Sequence, residues 1–130
     1  MSADNILAVK NAYGAFSRGD VPSVLATFSD DIQWITPGTS ALAGERKGKE
    51  EVADFFRTLG QNWHFLAFEP LEFLGDGDRV VVFGRYEVRS RQTGRTAASH
   101  WAMVWTFREG KAVRFQEYTD TATLEAAEAA

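Results

Sequence analysis

Apolar residues recur at helical spacing in three stretches of the first half of the chain, and then the period falls to two. Ile6, Val9, Tyr13 and Phe16 share one face of a helix predicted over Ser2 to Arg18, with Ser2 as candidate N-cap and Gly19 as its end. Asp20 caps a second, shorter helix that tolerates Pro22 in its first turn and buries Val21, Val24, Leu25 and Phe28. Asp30-Asp31 breaks that stripe, and Ile32 to Thr36 alternates as a short strand before Pro37-Gly38 turns the chain. Thr39 to Gly48, rich in glycine and charge, reads as a loop. Val52, Phe55, Phe56 and Leu59 mark a third helix over Lys49 to Leu59, closed by Gly60.

From Trp63 onward the pattern is that of strands. Trp63 to Leu74 is extended, with Pro70 signalling a bulge or an edge position. After a turn at Gly75-Asp76-Gly77-Asp78 come three long strands, Arg79 to Ser90, Thr96 to Arg108 and Lys111 to Thr119. Thr121 to Ala130 reads as a last helical turn or a frayed tail. Helices first and a four-strand antiparallel meander afterwards predict an α+β domain spanning residues 1–130, with the helices on one side of the sheet.

Alternation also says which side is dry. The drier face carries Val80, Val82, Gly84, Tyr86 and Val88, then Trp101, Met103, Trp105 and Phe107, then Val113, Phe115 and Glu117. A three-residue loop, Arg108-Glu109-Gly110 with Gly110 left-handed, brings the last two rows together. A four-residue loop, Arg91 to Gly94, sets Gly84 opposite Trp101, where the missing side chain leaves room for the indole.

Composition excludes several functions. The chain has no cysteine, which removes disulfides, thiolate metal sites and a cysteine nucleophile. His64 and His100 share no metal-ligand spacing, so no metal or other cofactor is expected. A net charge of −4 argues against nucleic acid as a partner, and Arg85, Arg89, Arg91 and Arg95 read as a solvated strand face and turn. No apolar run approaches the roughly 18 residues of a membrane span, and no signal peptide is evident, so a cytoplasmic location is expected.

The stretches GDVPSVLATFSDDIQWITPG, GKEEVADFFRTL, DRVVVFGRYEV and WTFREGKAVRFQEYTDTATL, in this order of elements, resemble the nuclear-transport-factor-like superfamily, and within it the SnoaL-like and ketosteroid-isomerase-related members. The resemblance implies a cone: three N-terminal helices on a strongly curved, mostly antiparallel sheet, with an enclosed pocket and a homodimer formed through the convex face. It also places Thr36 and Met103 where the ketosteroid isomerases carry a base aspartate and a protonated aspartate. Neither residue replaces a carboxyl group, so steroid isomerisation is not expected. Tyr13 matches the neighbouring tyrosine donor once a gap is placed in the first helix. The acid–base aspartate of SnoaL-like cyclases falls, with the Gly110 turn as anchor, near Glu117.

Glu117 is therefore the candidate catalytic residue, a carboxylate on a face otherwise built of aromatic and aliphatic side chains. The bland alternative is a structural strut bonded to an indole or a helix end. Tyr13, Trp34, Thr36, Tyr86, Trp101, Met103, Trp105 and Phe115 are the candidate lining of a pocket for a small apolar or aromatic molecule. Aromatic rows on an inner face also serve simply as core. A non-catalytic binding or dimerisation module of the same fold is the alternative to an isomerase- or cyclase-type enzyme.

Overall fold

The computed structural model describes residues 2 to 129. The elements run α1 (Ser2–Ser17), α2 (Val21–Leu25), β1 (Phe28–Thr36), β2 (Gly44–Lys47), α3 (Gly48–Asn62), β3 (Trp63–Asp76), β4 (Arg79–Ser90), β5 (Thr96–Arg108), β6 (Lys111–Thr119) and α4 (Thr121–Glu128). Six strands form one sheet in the order β2-β1-β6-β5-β4-β3, in which only the β1–β6 pair is parallel. The sheet curls around the helices without closing, so β2 and β3 remain as edges. Helix α1 lies against β3 and β4, and α3 against β1.

The anticipated helices form, but Ser2 lies inside α1 rather than capping it, its hydroxyl donating to the Gly77 carbonyl at 3.2 Å. Gly19 takes a positive φ of 71° and ends α1. The Asp20 carboxylate accepts from the Ser23 backbone N–H at 3.2 Å, capping α2. Val9, Val24 and Val52 are fully or almost fully buried on the three facing stripes. Phe28, expected as the last apolar position of the second helix, instead opens β1 and is buried against Trp34 and Trp105. Helix α3 runs through Gly60 to Asn62, because the buried Trp63 anchors its end and donates its backbone N–H to the Leu59 carbonyl. One glycine in a helix costs only about 1 kcal/mol, which such an anchor offsets.

The sheet is larger than a four-strand meander. Strand β2, expected as loop, pairs antiparallel with β1 from Gln33–Lys47 to Thr36–Gly44. Its sequence Gly-Glu-Arg-Lys has no apolar alternation, since an edge strand of this kind buries almost nothing. The edge strand β3 is irregular where Pro70 stands: Leu66 and Leu71 are the extra residues of two bulges, and both point to solvent.

The parity of the inner face is as anticipated, but its device at Gly110 is not. Arg108 pairs with Lys111, so the loop has two residues, Glu109 and Gly110, both with positive φ (52° and 78°). A bulge follows: Thr106 pairs with Arg114 and Phe107 with Ala112, leaving Val113 unpaired. This slip restores the pairing of Trp105 with Phe115 and Met103 with Glu117. It also turns Ala112 fully inward in place of Val113, which is only half-buried. The other hairpin keeps its four-residue loop and sets Gly84 opposite Trp101.

Arginines expected on a solvated face have specific partners. Arg85 pairs with Glu69, Arg91 donates to the Gly60 carbonyl in α3, and Arg95 donates to the Ala129 carbonyl after α4. Among the described residues there is no cluster of groups suited to a metal ion. Among the described residues no helix is long and apolar enough to cross a membrane.

Candidate functional site

The concave face of the sheet and the helices enclose a cavity of about 120 Å³. Its walls are aromatic because consecutive inward rows on neighbouring strands are aromatic. Trp34 of β1 stacks on Phe115 of β6 with ring centroids 3.8 Å apart, and Trp105 of β5 meets Phe115 edge-on at 4.7 Å. Phe55 and Phe56 of α3 also pack on Trp34, with ring centroids 5.4 and 5.5 Å away.

Four polar features interrupt this lining. Tyr13, in α1, receives the Trp105 indole N–H at 3.1 Å and turns its own O–H onto the Met103 sulfur, also at 3.1 Å. A thioether is a weak acceptor, so that O–H is held loosely. Burial raises the phenol far above its ordinary pKa; the Trp105 bond opposes the shift and the Glu117 charge adds to it. The Tyr86 hydroxyl lies 2.6 Å from the Thr119 hydroxyl, which in turn reaches Ser99 at 3.2 Å. Burial, reinforced by Glu117, raises Tyr86 as well. Thr36 donates to the Leu42 carbonyl, fixing the loop after β1 over the cavity.

Glu117 is the fourth feature. It sits on β6 directly across from Met103, is half-buried, and lines the cavity. Among the described residues its carboxylate has no hydrogen-bond or ion-pair partner, so the strut reading finds no support there. Desolvation disfavours the charged form and pushes the carboxyl from 4.5 up to about 7. Near neutral pH such a group accepts and returns protons with equal ease.

Of the residues named from sequence, Tyr13, Trp34, Thr36, Tyr86, Met103, Trp105, Phe115 and Glu117 all meet at this cavity. Trp101 does not. It lies behind the wall, stacked on Phe68 at 5.2 Å in the space left by Gly84, with its indole N–H buried and unpaired. Its parity is right, but the Phe68 ring lies over it and lines the cavity in its place.

Sequence reading missed the mouth. Helix α4 closes one side with Thr121, Leu124, Glu125 and Glu128, and Asp120 caps it by accepting from the Thr123 N–H at 3.1 Å. Glu125 accepts from both the backbone and hydroxyl of Thr39, at 3.0 and 2.9 Å, tying α4 to the loop after β1. The available signal was Asp120-Thr-Ala-Thr, a capping pattern followed by a single apolar Leu124; the remainder, Ala130, lies outside the described residues.

A family model for the SnoaL-like domain matches residues 9–115. The chain belongs to the SnoaL-like family. This SnoaL-like chain superposes on the crystal structure of an NTF2-like protein from Burkholderia xenovorans LB400 with a TM-score of 0.92, at 33% identity over 99% of this chain and 98% of that one. It is similar at 30% identity and a TM-score of 0.83 to TerC co-crystallised with polyporic acid, over 96% and 98% of the two chains. An uncharacterised protein of Mycobacterium tuberculosis is 26% identical over 121 residues, 90% of each chain. The SnoaL-like fold and its curled sheet thus stand on both sequence and structure.

Proposed function

We propose that this SnoaL-like protein binds a small ring compound in the aromatic cavity and moves a proton on it through Glu117. The unpaired Glu117 carboxyl on an apolar wall carries the reading, since a desolvated acid titrating at about 7 suits proton transfer at neutral pH. The cavity's size sets the scale of the ligand. At about 120 Å³ it falls slightly below the ~150 Å³ apolar cavity known to hold benzene, so one six-membered ring fills it. The similar TerC structure, obtained with polyporic acid, supports small-molecule binding at this fold.

The reaction class is proton abstraction beside a carbonyl. The Glu117 carboxylate takes a proton from the adjacent carbon, charge develops on the carbonyl oxygen, and the Tyr13 O–H leaves the Met103 sulfur to bond that oxygen. Glu117 then returns its proton to the same carbon or a conjugated one, as isomerase- and cyclase-type chemistry requires. Cyclohexanone in deuterated water tests this. The protein is expected to accelerate deuterium exchange beside the carbonyl, and Glu117→Gln to abolish the acceleration. Equal rates for the two proteins would remove the catalytic role.

A second observation favours association through the sheet's outer face. Phe83, Ala102 and Tyr118 form a row across β4, β5 and β6, and Phe83 and Tyr118 are exposed despite their size. A homodimer covering this row is expected, in which case light scattering at micromolar concentration gives twice 14.5 kDa. A species of 14.5 kDa throughout that range would contradict it.

A further inference from the structure

The charged groups around the cavity are all of one sign. Glu117 lies at its wall, and Glu125 and Glu128 line its mouth from α4; no lysine, arginine or histidine lines it among the described residues. Glu128 is half-buried, and its carboxyl is raised first by burial and then by the neighbouring Glu125 charge. Two arginines that touch the elements around the cavity are engaged elsewhere. Arg46, which does not line the cavity, lies over the Phe55 ring at 5.0 Å and donates to the Leu42 and Ala41 carbonyls. Arg95 donates to the Ala126 and Ala129 carbonyls at the far end of α4. The start of α4 offers no anion site either, because Asp120 already accepts from its Thr123 N–H.

Resting on the binding reading above, we infer that the cavity sorts its ligands by charge, accepting uncharged or cationic single-ring compounds and rejecting anions. An anion passing the mouth meets Glu125 and Glu128, sheds its water among aromatic walls, and finds no cation to compensate it. An ammonium group meets carboxylates and the faces of Trp34, Trp105 and Phe115, which attract a cation. An uncharged hydroxyl or carbonyl avoids both penalties and bonds Glu117 in whichever protonation state suits it. Glu125 and Glu128 are on this account specificity-determining residues, although neither reaches the depth at which Glu117 acts.

Benzyl alcohol, benzylamine and benzoate share one ring and differ in the charge of one substituent, so calorimetric titration of the three near neutral pH reads the sorting directly. Benzoate is expected to bind at least about tenfold more weakly than benzyl alcohol, with benzylamine clearly ahead of benzoate. In Glu125→Gln/Glu128→Gln, and to a lesser degree in Glu128→Gln alone, the ratio of alcohol to benzoate affinity should fall by about threefold or more, the remaining preference being that of the apolar walls and Glu117. Benzoate binding within threefold of the alcohol in the unaltered protein overturns the inference. So does equal exclusion of benzylamine and benzoate, which would make apolarity rather than the sign of charge the sorter. An unchanged ratio in the folded variants removes Glu125 and Glu128 from the role. Failure of benzyl alcohol itself to bind is a different result: it removes the binding reading and this inference with it.

Discussion

Replacing Glu117 by glutamine keeps the shape of the side chain and removes its proton, so it isolates what burial of this one acid does to the fold. Unfolded, the carboxyl titrates near its ordinary 4.5; in the cavity it titrates at about 7. Between those values the folded chain holds a proton that the unfolded chain has released, so stability falls as pH rises, and it levels off above the folded value. Each pKa unit corresponds to about 1.4 kcal/mol, which makes the full effect about 3 kcal/mol, most of it lost between about pH 5 and about pH 8. Glutamine carries no such dependence. Urea unfolding of the two proteins across that range, taken as a difference, cancels every other titrating group, including Glu128, which shifts in the same direction. The variant should gain on the unaltered protein by roughly 2 to 3 kcal/mol as pH rises through the window. Parallel stability curves would refute the claim that this carboxyl is desolvated and unpaired.

Gly84→Ala is expected to lower stability by about 1 to 3 kcal/mol in thermal or urea unfolding, because an added Cβ meets the Trp101 ring and the fixed Glu69 carbonyl oxygen at 2.5 Å. An unaltered melting temperature would mean that Trp101 has room to move. A β,γ-unsaturated ketosteroid should not be isomerised above the buffer rate, since Thr36 is bonded to the Leu42 carbonyl, Met103 offers only a sulfur, and four fused rings exceed a cavity of about 120 Å³. Conjugated product appearing faster in the ultraviolet than in buffer would contradict that.

Which side chains face inward was legible in the sequence wherever alternation is strong. The uncharged row Val80 to Val88 and the aromatic row Trp101 to Phe107 fixed the concave face, and both rows are buried. Legibility failed where burial is slight or where two irregularities cancel. Strand β2 buries nothing that a pattern could show, and its place beside β1 follows only from backbone pairing. At Gly110 the two-residue turn and the Val113 bulge offset one another, so parity survived while the loop length did not. Depth was the other blind spot. Trp101 and Trp105 share a face and a residue type, yet only the packing of Phe68 decides that Trp105 lines the cavity and Trp101 does not. Helix α4 shows the same limit, since its polar residues matter through what they close rather than through any pattern of their own.

The catalytic role proposed for this protein turns on the state of one carboxyl group. Carbonyl-carbon NMR of the Glu117 side chain, followed from acid to mildly alkaline pH in the unaltered protein, observes that state without a ligand or a substitution. A midpoint at about 7, well above the ordinary 4.5, is expected. A midpoint at the ordinary 4.5 would contradict that role, and would leave the aromatic cavity without its acid–base group.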